Sequence, residues 1–131
     1  VPNFIRYDKR AMAIPSEPSV SIQRSGTISL NHAAFTLAGE PEAVELLYDP
    51  DEKVIGMRPI STSEPYAFPV RRQQASRSYL IAGQAFTSYF GLRTDTALRY
   101  SARMIDDVLT VDLKKEGAKV ARPSTASREK G

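Results

Sequence analysis

Residues 27–60 read TISLNHAAFTLAGEPEAVELLYDPDEKVIGMRPI, and residues 78–113 read SYLIAGQAFTSYFGLRTDTALRYSARMIDDVLTVDL. Laid on one another, the two stretches place Ala34-Phe35-Thr36 on Ala85-Phe86-Thr87, Ile28 on Tyr79 and Leu30 on Ile81. After one inserted residue Gly39 falls on Gly91, Leu46 on Leu98 and Tyr48 on Tyr100. A second insertion brings Ile55 onto Val108 and Ile60 onto Leu113. The spacing of apolar positions and of turn residues is what recurs, as it does when one backbone is used twice. A unit of about 35 residues with a single amphipathic hairpin cannot enclose a core by itself. Two such units can, by laying their apolar faces together about a pseudo-twofold axis. The fold class expected is mainly β with two short helices, a pseudo-twofold β-barrel of two strand-helix-hairpin repeats.

Within the first unit, Ile28 and Leu30 alternate with polar residues, as in a half-buried strand. Asn31 suits a helix N-cap and Gly39 a helix end, which predicts a short helix over residues 32–38. Val44, Leu46 and Tyr48 share one strand face, and Asp49-Pro50-Asp51-Glu52 turns the chain back into residues 54–57. The second unit reads the same way: a strand at 79–81, a helix near 84–90, a strand at 97–100, a turn at Asp106-Asp107 and a strand at 108–113. Upstream, Val20 and Ile22 alternate and, with residues 28–30, predict two strands or one bent strand. The connector, residues 61–77, carries Tyr66, Phe68 and Val70 in alternation. Pro69 there argues for an edge strand at most. Residues 1–19 read as an N-terminal arm, residues 20–113 as the barrel domain and residues 114–131 as a basic, disordered tail.

The chain has 131 residues, 41% hydrophobic and 25% charged, enough for one domain with a core. No run is long and apolar enough to suggest a membrane span or a secretory leader. Cysteine is absent, which removes thiolate metal sites and disulfides and fits a cytoplasmic protein. The net charge of +3 is unevenly placed. Residues 20–113 hold nine Lys/Arg against eleven Asp/Glu, whereas residues 114–131 hold six against two. The basic excess is therefore a property of the tail.

The first unit resembles the AbrB/SpoVT/MraZ swapped-hairpin domain of bacterial transition-state regulators. Gly26, Ile28, Leu30, Gly39, Val44 and Met57-Arg58-Pro59 fall on that pattern, with a weaker echo in residues 78–113. The chain departs from it at Thr27, where the family has a basic residue, at Asn31, where it has proline, and at Pro41-Glu42, where it has Gly-Asp. The resemblance implies a DNA-binding transcription regulator that forms homo-oligomers and contacts DNA through basic residues near the first strands. Arg24 and Arg77 occupy that neighbourhood without matching the motif position.

The residues themselves offer no catalytic constellation, so the chain is expected not to be an enzyme, and neither a cofactor nor a metal is expected. His32, the lone histidine, suits a surface or capping place better than a general base. Asp49/Asp51/Glu52 and Asp106/Asp107 suit turns better than a cation site. Phosphate contacts are expected from Arg24, Arg71, Arg72, Arg77 and Arg99, with Lys114 and Lys115 adding salt-dependent attraction from the tail. Arg103 is a further candidate beside Arg99. The alternative is a protein interaction or assembly module, with a homodimer or another protein as partner, in which the same arginines are merely solvated.

Overall fold

The computed structural model describes residue 2 and residues 17–73, 77–92, 94, 96–115 and 118–119. It is mainly β, with strands β1 (Ser19–Ile22), β2 (Ile28–Asn31), β3 (Ala43–Asp49), β4 (Val54–Pro59), β5 (Phe68–Pro69), β6 (Arg71–Gln73), β7 (Ser78–Ile81), β8 (Leu98–Ile105), β9 (Val108–Asp112) and β10 (Ala118–Lys119). Two short helices, α1 (His32–Leu37) and α2 (Gln84–Tyr89), follow β2 and β7. The antiparallel order is β5-β3-β4-β9-β8-β1-β2-β7-β6, with β10 added to β8. Its two ends, β5 and β6, are separated only by Val70, whose N–H donates to the Glu42 carbonyl at 2.9 Å. The chain thus leaves β3 as one end of the sheet and joins β7 as the other, and a barrel results.

Two pairings carry the symmetry. Ser29 lies opposite Leu80, and Ile28↔Ile81 and Leu30↔Tyr79 flank that pair as images of each other. Gly56 lies opposite Thr110, with Ile55↔Val111 and Met57↔Leu109 on either side. The dyad runs through both centres. Apart from the short β10 on β8, each hairpin is paired outward with the other half: β3 and β4 border β5 and β9, while β8 and β9 border β1 and β4. The hairpins are exchanged between the halves, so neither half has a closed interior of its own.

The structure shifts three details of the repeat. Both helices end on a capping residue followed by a glycine at positive φ, Ala38-Gly39 and Phe90-Gly91, so the cap Gly83 answers to Asn31, the inserted residue is Ala82, and Ala34, not Phe35, stands where Phe86 stands. The two-residue turn Asp106-Asp107 replaces four residues, 50–53, and Leu109 rather than Val108 becomes the counterpart of Ile55. Tyr48 faces Ile55 as Met104 faces Leu109, which makes Met104 and not Tyr100 the counterpart of Tyr48. Residues 61–77 are more than a connector, because β5 and β6 repeat the role of β1. Pro69 is accommodated where this strand changes partner and its missing N–H breaks no second ladder. Residues 20–22 and 28–30 form two strands. The strand placed at 97–100 continues to Ile105.

Ile28, Leu30, Ile55, Met57, Ile81, Leu109, Val20, Val44 and Val111 fill the interior and are essentially inaccessible. Each such side chain is worth roughly 1.5–3 kcal/mol when fully buried. Six come from the first half and three from the second, and because they share one interior the stability of each repeat depends on the other. No helix among the described residues is long and apolar enough to cross a membrane.

Candidate nucleic-acid interface

Directly opposed residues of neighbouring strands point to the same side of a sheet. One such row crosses β6, β7, β2, β1 and β8: Arg71, Leu80, Ser29, Ser21 and Arg99. The adjacent row, Arg72, Tyr79, Leu30, Val20 and Tyr100, contains three fully or nearly buried residues and faces the interior. The Arg71–Arg99 row therefore faces out. Its outward neighbours are Gln73, Ser78, Asn31, Ser19, Ser101 and Arg103, with exposed Glu17, two residues before Ser19, at the edge beside Arg103. At a strand spacing of ~4.8 Å, four steps separate Arg71 from Arg99 by roughly 19 Å before curvature. The β1–β2 turn holds Arg24, and Arg77 sits just ahead of β7; the dyad relates these two turns, so they flank the face at opposite ends of its strands.

Among the described residues none of Arg24, Arg71, Arg72, Arg77 and Arg99 forms an ion pair, and all five are exposed. The structure brings Arg24, Arg71, Arg77 and Arg99 onto one sheet or its turns, with Arg103 extending the row's basic edge. Arg72 departs from the expected cluster: it has the opposite parity to Arg71 and lies at the end of the interior row. Lys114 departs as well. Its ammonium lies between Asp112 at 3.3 Å and Glu52 at 3.4 Å and also donates to the Glu52 backbone carbonyl. Desolvation works against that ammonium, but hydrogen bonds and charge from Asp112 and Glu52 outweigh it and raise its pKa. The Lys114 backbone N–H, donating to Asp112 at 2.9 Å, is the largest reason the Asp112 carboxyl is held below its usual range; partial burial opposes this, and the Lys114 and Lys115 charges reinforce it. Lys115 is exposed on the same segment. Of the segment expected to be disordered, Ala118–Lys119 instead pairs with β8, while residues 120–131, like the arm at 3–16, lie outside the described residues.

The opposite wall, β3-β4-β9, has a different charge. Glu45, Asp49, Asp51, Glu52 and Asp112 are there, and two of its cations are engaged: Arg58 pairs with Glu45 at 3.1 Å and Lys114 with Asp112 and Glu52. The acidic residues of the turns do turn work. Asp49 accepts from the N–H groups of Asp51 and Glu52 at 3.0 and 3.1 Å, and Asp106 and Asp107 take φ of 50° and 64°, the pattern of a two-residue I′ hairpin. Among the described residues no group of three His, Cys, Asp or Glu side chains could hold a metal ion. His32 is half-buried, with Nδ1 3.1 Å from the Tyr79 hydroxyl, so it packs at the helix start rather than facing solvent.

One feature has no counterpart in the expected site. A cavity of about 560 Å³ opens beside the end of α2, lined by Ile22, Tyr48, Phe90, Leu92, Leu98 and Leu113, together with Lys53, Gly91, Thr96 and Tyr100. Its cause is a link three residues longer: 90–97 between α2 and β8, against 38–42 between α1 and β3. The sequence alignment, which runs from Gly39/Gly91 to Leu46/Leu98 without a gap, gives no sign of it. Burial pushes the Tyr100 phenol up from its ordinary pKa, because the phenolate would be poorly solvated there. Comparison of the chain with protein-family models, with curated proteins and with solved structures finds no match in any of the three.

Proposed function

We propose that the barrel is a non-enzymatic, cytoplasmic DNA-binding regulator whose contact surface is the outer face of β6-β7-β2-β1-β8. The observation that supports this reading is the in-register row that sets Arg71 and Arg99 at the two sides of a serine-rich surface. Arginine makes bidentate bonds to phosphate, and hydroxyl and amide side chains also donate to phosphate oxygens. A span of roughly 19 Å lets the two guanidinium groups straddle a major groove about 12 Å wide. The swapped-hairpin threading agrees with the resemblance to the AbrB/SpoVT/MraZ domain, and membership of that group is part of the proposal. Fluorescence anisotropy with labelled duplex DNA at low salt tests it. Binding that weakens on Arg71→Ala and on Arg99→Ala, each lowering the salt slope by about one, is the expected result. Absence of binding, or indifference to both substitutions, refutes it.

A second reading, a protein interaction or assembly module, has its own observation. Tyr89 is 81% exposed and stacks edge-on against the partly exposed Phe90, at a ring distance of 4.8 Å. An aromatic pair of this kind at the open end of the barrel suits a protein partner or a second copy of the chain. Concentration-dependent sedimentation that disappears in Tyr89→Ser, in a protein indifferent to DNA, would favour it.

A further inference from the structure

The cavity beside α2 is walled by Ile22, Phe90, Leu92, Leu98 and Leu113, and it is within the size range of small-molecule sites. Its described residues with polar side chains are few: Tyr48, Tyr100, Thr96 and Lys53. Among the described residues Lys53 is the only charged one of the lining, and it forms no ion pair. It is held in place by its backbone. Lys53 takes φ of 57°, its N–H donates to the Asp49 carbonyl at 2.7 Å, and its carbonyl accepts from Leu113 at 2.9 Å, so the turn carrying it is tied to the cavity wall.

The other end of the barrel shows that the fold does not require this space. There Ala38 and Pro41 of the five-residue link and Ala43 at the start of β3 are buried, and Val44 is 1% exposed. An unfilled space of this size forfeits dispersion contacts along its apolar walls, a cost that the first repeat avoids with a shorter link. We infer that the cavity is a binding site for a small amphipathic carboxylate, whose apolar chain lies among Leu92, Leu98 and Leu113 and whose acid group meets Lys53 with the Tyr48 and Tyr100 hydroxyls beside it. This site is independent of the DNA-binding reading, since it lies at an open end of the barrel and uses none of the arginines of the outer face.

Isothermal titration of the full chain with octanoate, and separately with octanol, tests the inference. Octanoate is expected to bind with one-to-one stoichiometry, and more tightly than octanol by about two- to fivefold, the range an exposed ion pair supplies. Lys53→Gln is expected to bring octanoate to the level of octanol, and Leu98→Trp, which fills the space, to abolish both. Leu92→Trp, on the link rather than in a strand, gives the same answer should Leu98→Trp fail to fold. Loss of ultraviolet absorbance change at Tyr100 upon ligand addition in Tyr100→Phe adds a local readout. The inference is overturned if neither compound binds, if the alcohol binds as tightly as the acid, or if binding survives the folded Trp variant.

Discussion

The two ends of the barrel are built on one plan and finished differently. At the α1 end Asn31 closes the helix, accepting from the N–H of Ala34 at 2.8 Å and from that of Ser19 at 3.0 Å. Phe35 lies flat on Tyr79, with ring centres 3.7 Å apart and planes within 4°, and His32 abuts the same tyrosine. At the α2 end Gly83 occupies the cap position with no side-chain bond. An added Cβ there would come within 2.7 Å of Ile28 Cδ1 and 2.9 Å of the Gly26 carbonyl. The helix has given up a cap in order to sit close on the β1–β2 turn. Its longer link then leaves the cavity and the exposed Tyr89. Threading alone therefore does not decide whether an end of such a barrel is sealed; side-chain volume and link length do.

Breaking the sealed end should have the largest effect. Tyr79→Ala removes the partner of both Phe35 and His32 and is expected to cost about 3–5 kcal/mol in urea unfolding. Leu98→Ala, at the edge of existing empty space, should cost clearly less, about 1–2 kcal/mol. Equal losses at the two ends would dissolve the distinction. Gly83→Ala comes next, at about 1–3 kcal/mol, since the methyl meets a core side chain and a backbone carbonyl that cannot both yield. Its thermal melt, set beside that of Asn31→Ala at about 0.5–2 kcal/mol, shows whether close approach at α2 outweighs capping at α1.

The smallest effect concerns the acidic wall. Because the Asp112 carboxyl is held below its usual value in the folded chain, the stabilisation it gives is fully present above the unfolded value and is lost as pH falls through the folded one. Acid titration of stability should thus lose one inflection in Asp112→Asn, while the profile above the usual carboxylate range stays unchanged. An alkaline titration followed by tyrosinate absorbance should show Tyr100 ionising later than an ordinary tyrosine, and not in Tyr100→Phe.

Much of this architecture could be read from residue order. Period-two alternation at Ile28/Leu30 and Val44/Leu46/Tyr48, the Asn31 cap and the Asp-rich turns each identify an element from local chemistry, and the recurrence of these elements implies the barrel. What could not be read was register. Leu98 and Tyr100 match Leu46 and Tyr48 in type and parity, so nothing local distinguishes the true partners, Ala102 and Met104, four residues on. The role of β5 and β6 was hidden because Arg71, Arg72 and Gln73 are all exposed and carry no apolar alternation. The outer arginine face is legible only through that same register, since Arg71 and Arg99 are distant in sequence and are set in one row by way of Leu80, Ser29 and Ser21.

Interlocking of the halves about the dyad is most directly tested by cross-linking across it. The chain has no cysteine, so a Ser29→Cys/Leu80→Cys variant reports on one pair alone. Opposed positions in an antiparallel pair fall within the reach of a disulfide. Near-complete oxidation of this pair, with little in a Ser29→Cys/Ser78→Cys control one row away, is the expected result. Equal oxidation in both, or none in the first, would contradict the arrangement.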